Sequence, residues 1–207
     1  MVGAFNPAII HPAWLARFDL IPGGEAERAE LEICHPEISK FSIGWARIEV
    51  VKNRFLVATA QESSFSAVRD LSLGVLKLLS HSPISAMGFN REIHCRAPSE
   101  QAWHAYGDKL APKEVWNSVL DDPRPGLKSL VVQSRKADGA ISEVNVQVAP
   151  SAKVLPGVFI AVNNHFNLAP GAAVGDANRA IETIENEWGP SLARSDRIFE
   201  SLRTLPT

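Results

Sequence analysis

Residues 158–168 alternate apolar and polar side chains with a period of two. Val158, Ile160, Val162, Phe166 and Leu168 fall on one parity, interrupted only by Asn164. Phe159, Ala161, Asn163, His165 and Asn167 fall on the other. Residues 143–148 repeat the pattern, setting Val144, Val146 and Val148 against Glu143, Asn145 and Gln147. Successive side chains of an extended chain point to opposite faces, so both segments predict strands with one face on a core and one toward water. Parallel strands are covered on both faces and read as continuous apolar runs, so this pattern favours an antiparallel sheet.

The polar parity is rich in amides. If the two strands pair, Glu143, Asn145, Gln147, Asn163, His165 and Asn167 form a two-row patch of donors and acceptors. Such a patch can hold a peptide, another subunit or a polar ligand, and these six residues are the candidate binding set. The bland alternative is an ordinary solvated strand face.

The same periodicities organise the rest of the chain. Residues 1–28 form an arm that mixes Pro7, Pro12 and Pro22 with Ile9, Ile10, Trp14, Leu15, Phe18, Leu20 and Ile21. Prolines at that spacing interrupt long helices, while the apolar content predicts packing on the body, with a short helix near 12–18. The segment 9–21 is also the one expected to reach a partner or cover an edge strand. Strands are expected at 30–34, 42–51 and 54–60, the last two joined by a hairpin at Lys52-Asn53. A helix follows at about 63–80, with Ser63 and Ser64 as caps, then a strand at 88–96. Pro98 and Ser99 open a helix to Leu110, and Pro112 starts a short one bearing Val115, Trp116 and Leu120. A loop at 121–126 leads to strands at 127–135, 141–148 and 158–168, with a turn at Ala137-Asp138-Gly139. A small-residue loop at 171–175 precedes a last helix capped by Asp176, which Gly189-Pro190 should kink or break. Trp45, Trp116 and Trp188 occupy core positions of this pattern.

The expected fold is therefore a single α+β domain over 29–207. Its mainly antiparallel sheet is packed on one side by the 63–80 and 176–203 helices and is built from two similar strand–helix units.

Composition narrows the function classes. A net charge of −2 and the absence of a Lys/Arg cluster give no electrostatic footprint for nucleic acid. No apolar run reaches the length of a membrane span, and no basic and apolar leader opens the sequence. Two cysteines, Cys34 and Cys95, make no disulfide framework and fit the reducing cytoplasm.

Chemistry-bearing motifs are sparse. His94 and Cys95 are adjacent in a strand and point to opposite faces, as do Cys34 and His35, so neither pair chelates one ion. No nucleophile elbow, Walker loop or dinucleotide fingerprint occurs. No residue is assigned a catalytic or metal-binding role, and no cofactor is expected. A second candidate set is Glu92, His94 and Arg96, three same-parity polar residues around a histidine suited to proton transfer. The first expectation is a non-catalytic interaction protein, a homodimer or one subunit of a complex. The alternative is a small-molecule-binding protein or hydrolase with a polar pocket between sheet and helices.

Three segments carry a resemblance: the 54–60 strand leading into the 65–79 helix, the strand Gly88-Phe89-Asn90-Arg91-Glu92-Ile93, and the ending Val158-Phe159-Ile160-Ala161-Val162-Asn163-Asn164-His165-Phe166 before a long helix. In this order of elements the chain resembles a sporadically distributed family of uncharacterised bacterial proteins, from which the Pro- and Trp-containing arm departs. The resemblance implies no activity and no site residues. Its sporadic distribution implies an accessory role, such as a component of a bacterial defence system.

Overall fold

The computed structural model describes residues 1–121, 126–135, 142–169 and 175–203. The expected turn at 137–139 lies outside the described residues, as does most of the 171–175 loop and of the 121–126 loop. In chain order the elements are β1 (Val2–Gly3), α1 (Pro12–Arg17), α2 (Gly23–Glu27), β2 (Glu30–His35), β3 (Ile38–Ile43), β4 (Ala46–Val51), β5 (Arg54–Ala58), α3 (Phe65–Leu78) and β6 (Ile84–Arg96), then α4 (Glu100–Leu110), β7 (Leu130–Arg135), β8 (Ser142–Pro150), β9 (Gly157–Asn167) and α5 (Ala177–Arg203). The class is α+β, and the sheet is antiparallel with nine strands in the order β2-β3-β4-β5-β1-β6-β9-β8-β7. Two compact units share β6, β9 and α5: Met1–Gly88 with Phe166–Trp188, and Phe89–His165 with Gly189–Thr207.

In the first unit, the strand expected over 42–51 is two strands. β3 and β4 pair from Ile38↔Val51 to Ile43↔Ala46, with Gly44 and Trp45 at the turn. Trp45 donates its indole N–H to Glu25 at 3.1 Å, and its carbonyl accepts from Thr59 Oγ1 at 2.6 Å. Tertiary bonds thus hold a turn that the local apolar pattern ran straight through. The Lys52-Asn53 hairpin forms as expected, closing on Val51↔Arg54. The arm is structural. Val2 pairs with Arg54 and with Ala86, and Ile10, Leu15 and Ile21 are buried. Within the 9–21 segment Ile10, Pro12, Leu15 and Ile21 are buried, while Ala13, Arg17, Phe18 and Asp19 are exposed. Its helix α1 begins at Pro12 with His11 as N-cap, the imidazole accepting from Trp14 N at 3.3 Å. The apolar stripe of α3 buries Leu71, Val75 and Leu76.

The second unit is built on the alternation. Val148 of β8 and Val158, Ile160 and Val162 of β9 are buried with Tyr106 of α4 and Phe199 of α5, and Val144, Val146, Ile198 and Leu202 pack against them. Burial of each such aliphatic side chain contributes about 1.5–3 kcal/mol. Ser99 caps α4, accepting from Ala102 N at 3.0 Å. Ahead of α5, Asp176 accepts from Arg179 N at 2.9 Å, the expected cap.

Two further expectations change. Pro190 lies inside α5 without breaking it, with buried side chains before it (Ile184) and after it (Ser191, Ser195, Phe199). Packing on both sides outweighs the one backbone bond that proline removes. Trp116 is 46% exposed rather than core. The segment expected to be helical makes a single 3-10 turn, Glu114–Trp116, too short to present an apolar stripe.

Candidate functional site

All the groups described in this subsection lie in the second unit except Asn167 and Ala169. The amide-rich parity sits where the pattern puts it. β8 and β9 are neighbours. Because Val144, Val146, Val158, Ile160 and Val162 share one core, Glu143, Asn145, Gln147, Asn163 and His165 share the opposite face. Several are already engaged. Glu143 accepts from Gln133 at 2.7 Å and pairs with Arg135 at 3.1 Å. Gln147 donates to Ser129 Oγ at 3.3 Å. His165 is half-buried, and the side-chain oxygen of Asn163 is buried without a hydrogen-bond partner among the described residues. Asn167, at the end of β9, accepts from Ala169 N at 3.1 Å.

The alternative set, Glu92, His94 and Arg96, faces the β8–β9 connection. Each member holds one residue of the β8–β9 connection: Glu92 pairs with Lys153 at 3.6 Å, His94 Nδ1 meets Ser151 Oγ at 2.8 Å, and Arg96 donates to Leu155 O at 2.9 Å. The imidazole also rests on Phe159, with ring centroids 5.0 Å apart. Ser151 is itself buried, and its Oγ accepts from Lys153 N and Val154 N. Same-parity spacing brings the trio onto one face as expected, and there it clamps a loop.

Asn164 is the residue whose role the sequence concealed. Alternation places it inside, and it is 1% exposed. Its amide nitrogen lies 3.2 Å from Ser195 Oγ and 3.5 Å from the carbonyls of Phe89 and Ser191, while its oxygen accepts from Arg194 Nη1 at 2.6 Å. The only signal in the sequence was its break in an otherwise apolar parity. A buried amide is tolerated only when its donors and acceptors are met, and α5 meets them here.

That bond fixes Arg194 beside an open groove of about 390 Å³ between the end strand β7 and α5. Val132, Val146, Ile198 and Leu202 supply its apolar walls, and Arg194 and Arg197 its charge. Arg197 is exposed, and among the described residues neither guanidinium has a carboxylate partner. The volume falls within the range of ligand-sized sites.

A second concavity of about 110 Å³ is lined by Trp103, His104, Tyr106, Asp108, Leu127 and Val158, among others. It has room for only a few water molecules. The Tyr106 hydroxyl is buried without a partner among the described residues. Burial, with the Cys95 thiol adding to it, pushes that phenol up to about 12.

Among the described residues no group of three or more His, Cys, Asp or Glu is placed to hold a metal ion, and no helix is long and apolar enough to cross a membrane. No family model, curated protein or solved structure matches this chain.

Proposed function

We propose that the protein is a non-catalytic interaction protein that takes up an extended segment of another polypeptide along β7. The observation that carries this reading is the contrast between the two end strands of the sheet. Unpaired N–H and C=O groups on an end strand are a template for another chain, and folded proteins usually blunt such edges with bulges and charges. β2 is blunted in this way. Its register with β3 shifts between Leu31 and Ile33, and Glu32 in the shift is bound by Lys40 and faces Arg47 at 3.7 Å. β7 is not. Its six residues pair with β8 in unbroken register from Leu130↔Val148 to Arg135↔Glu143, and Val131 and Val132 are 61% and 53% exposed. A regular, apolar edge of this kind supports strand addition, in which backbone bonds give affinity and alternate side chains give selectivity. The groups selected in sequence as a reactive trio serve a loop instead, which favours binding over catalysis.

The test places a photo-crosslinking residue at Val131 and, as a control, at the exposed Lys109 in cells of the native host. One defined polypeptide captured from Val131 and not from Lys109 supports the reading. Equal capture at both positions, or none at β7, rejects it. Light scattering on the purified protein separates the two forms of partner, since a monomer at high concentration removes the homodimer.

A further inference from the structure

We infer that the segment received at β7 belongs to a different protein and is acidic as well as apolar, its carboxylate side chains read by Arg194 and Arg197. The inference rests on the proposed strand addition and assigns the partner's chemistry at the same site.

Three observations carry it. First, geometry. Val132 lies opposite Val146 in the β7–β8 register, so both point to the face covered by α5. A strand added beside β7 would place every second side chain on that face, against Ile198 and Leu202. Apolar residues at alternate positions satisfy those walls. Second, charge. Arg194 and Arg197 are three residues apart and neighbours on the helix surface. Neither has a carboxylate partner among the described residues. A guanidinium carries five N–H donors in a planar fork, and the structure records one of Arg194's in use, on Asn164. Anchoring by a buried neutral amide orients the fork without cancelling its charge, which is how a carboxylate reader is preorganised. Third, the occupant. A second copy of this chain would bring its own β7, whose only charged side chain is Arg135. Arg135 shares its parity with Val131 and points away from the groove, while the α5-side positions Leu130, Val132 and Ser134 carry no carboxylate, so a second copy would leave both guanidiniums unanswered. A partner with Asp or Glu flanking its apolar positions is complementary.

The experiment pans a displayed random-peptide library on the full chain, then measures the best peptides by fluorescence anisotropy against wild type, R197E and R194Q. Arg197 is exposed and makes no recorded bond, so R197E tests charge without disturbing packing, and circular dichroism checks the fold of both variants. The expected result is enrichment of Asp or Glu beside apolar residues at two-residue spacing. Affinity should weaken at least about tenfold in R197E, fall with added salt, and be accompanied by slowed amide exchange over Leu130–Arg135. Peptides without acidic residues, or with affinity unchanged in R197E, overturn the inference. If such peptides still protect the β7 amides, strand addition stands and only the acidic partner is lost. Failure to enrich any peptide that protects β7 rejects both.

Discussion

Arg194 Nη1 donates to Asn164 Oδ1 over 2.6 Å, tying the last helix to the one polar residue on the buried parity of β9. The bond serves two levels of the molecule at once. It satisfies an amide that alternation forces inward, and it fixes the direction of a cation at the rim of the β7–α5 groove.

Replacing Asn164 with Leu keeps the volume but removes the buried acceptor of the Arg194 guanidinium and the amide donor that Ser195 Oγ accepts. Each buried polar group left without a partner costs about 1–3 kcal/mol. N164L should therefore lower stability in urea denaturation by about 2 kcal/mol or more, by the same principle. Adding R194M should recover part of the loss, because the second change removes the stranded charge. A benign N164L, or strict additivity in the double variant, would show that the two side chains are not coupled.

Tyr106 gives a pH prediction with an unusually clean readout, since it is the only tyrosine in the chain. Its ultraviolet tyrosinate band should titrate near 12 in the folded protein rather than at the ordinary 10.0. Below pH 10 both the folded and the unfolded chain hold the proton, so stability does not respond. Between 10 and 12 the unfolded chain has lost the proton and the folded chain keeps it, so stability falls as pH rises through that window. Y106F should remove this alkaline loss. At neutral pH the same variant removes a buried hydroxyl without a partner and should be neutral or stabilising by about 1 kcal/mol. An ordinary titration midpoint would place the hydroxyl in water.

These two residues mark where sequence reading stops. Period-two alternation located β8 and β9 and both of their faces, because which way a side chain points in a strand is a local property. The cap at Asp176 was equally legible, where one side chain meets an amide three residues on, whereas Ser64 makes no cap bond because the 3-10 turn Glu62–Ser64 leads into α3. Asn164 was visible only as an exception, since Arg194 and Ser195 lie about thirty residues away in sequence. The turn at Gly44-Trp45 escaped because Glu25 and Thr59 hold it from outside the local pattern. Histidine spacing selected the Glu92, His94 and Arg96 face correctly but could not show that the β8–β9 loop lies across it. That β7 ends the sheet is a property of strand order, which no local pattern encodes.

Gly157 opens β9 with the backbone of β6 close by. A Cβ there would lie 2.7 Å from Val154 O and 2.8 Å from Cys95 O, both backbone atoms that cannot rotate away. G157A should push the strands apart or displace the loop, lowering Tm by several degrees, the effect of about 2 kcal/mol in a chain of this size. An unchanged Tm would mean that the backbone there yields without cost.

Ser151 is the centre of the loop clamp. Its Oγ contacts His94 Nδ1 and accepts from Lys153 N and Val154 N. S151A leaves two backbone donors and an imidazole short of one atom and should cost about 1–3 kcal/mol. Faster amide exchange at Lys153 and Val154 should accompany the loss. Global destabilisation without local exchange would place the serine's contribution elsewhere.

His165 separates the two faces of the second unit. It is half-buried, has no recorded side-chain bond, and stands on the amide face, opposite the face that carries Val146 and the β7–α5 groove. H165A should therefore change stability by less than about 0.5 kcal/mol, as expected of a substitution that removes no packed group or buried bond. It should also leave the affinity of peptides selected at β7 within about twofold, since no contact on the groove side is altered. The two measurements have opposite diagnostic value. A large stability loss with intact binding would mean that the amide face is covered. A tenfold loss of peptide affinity with an unchanged Tm would move recognition from the groove to the side chains of Asn145, Gln147, Asn163 and His165.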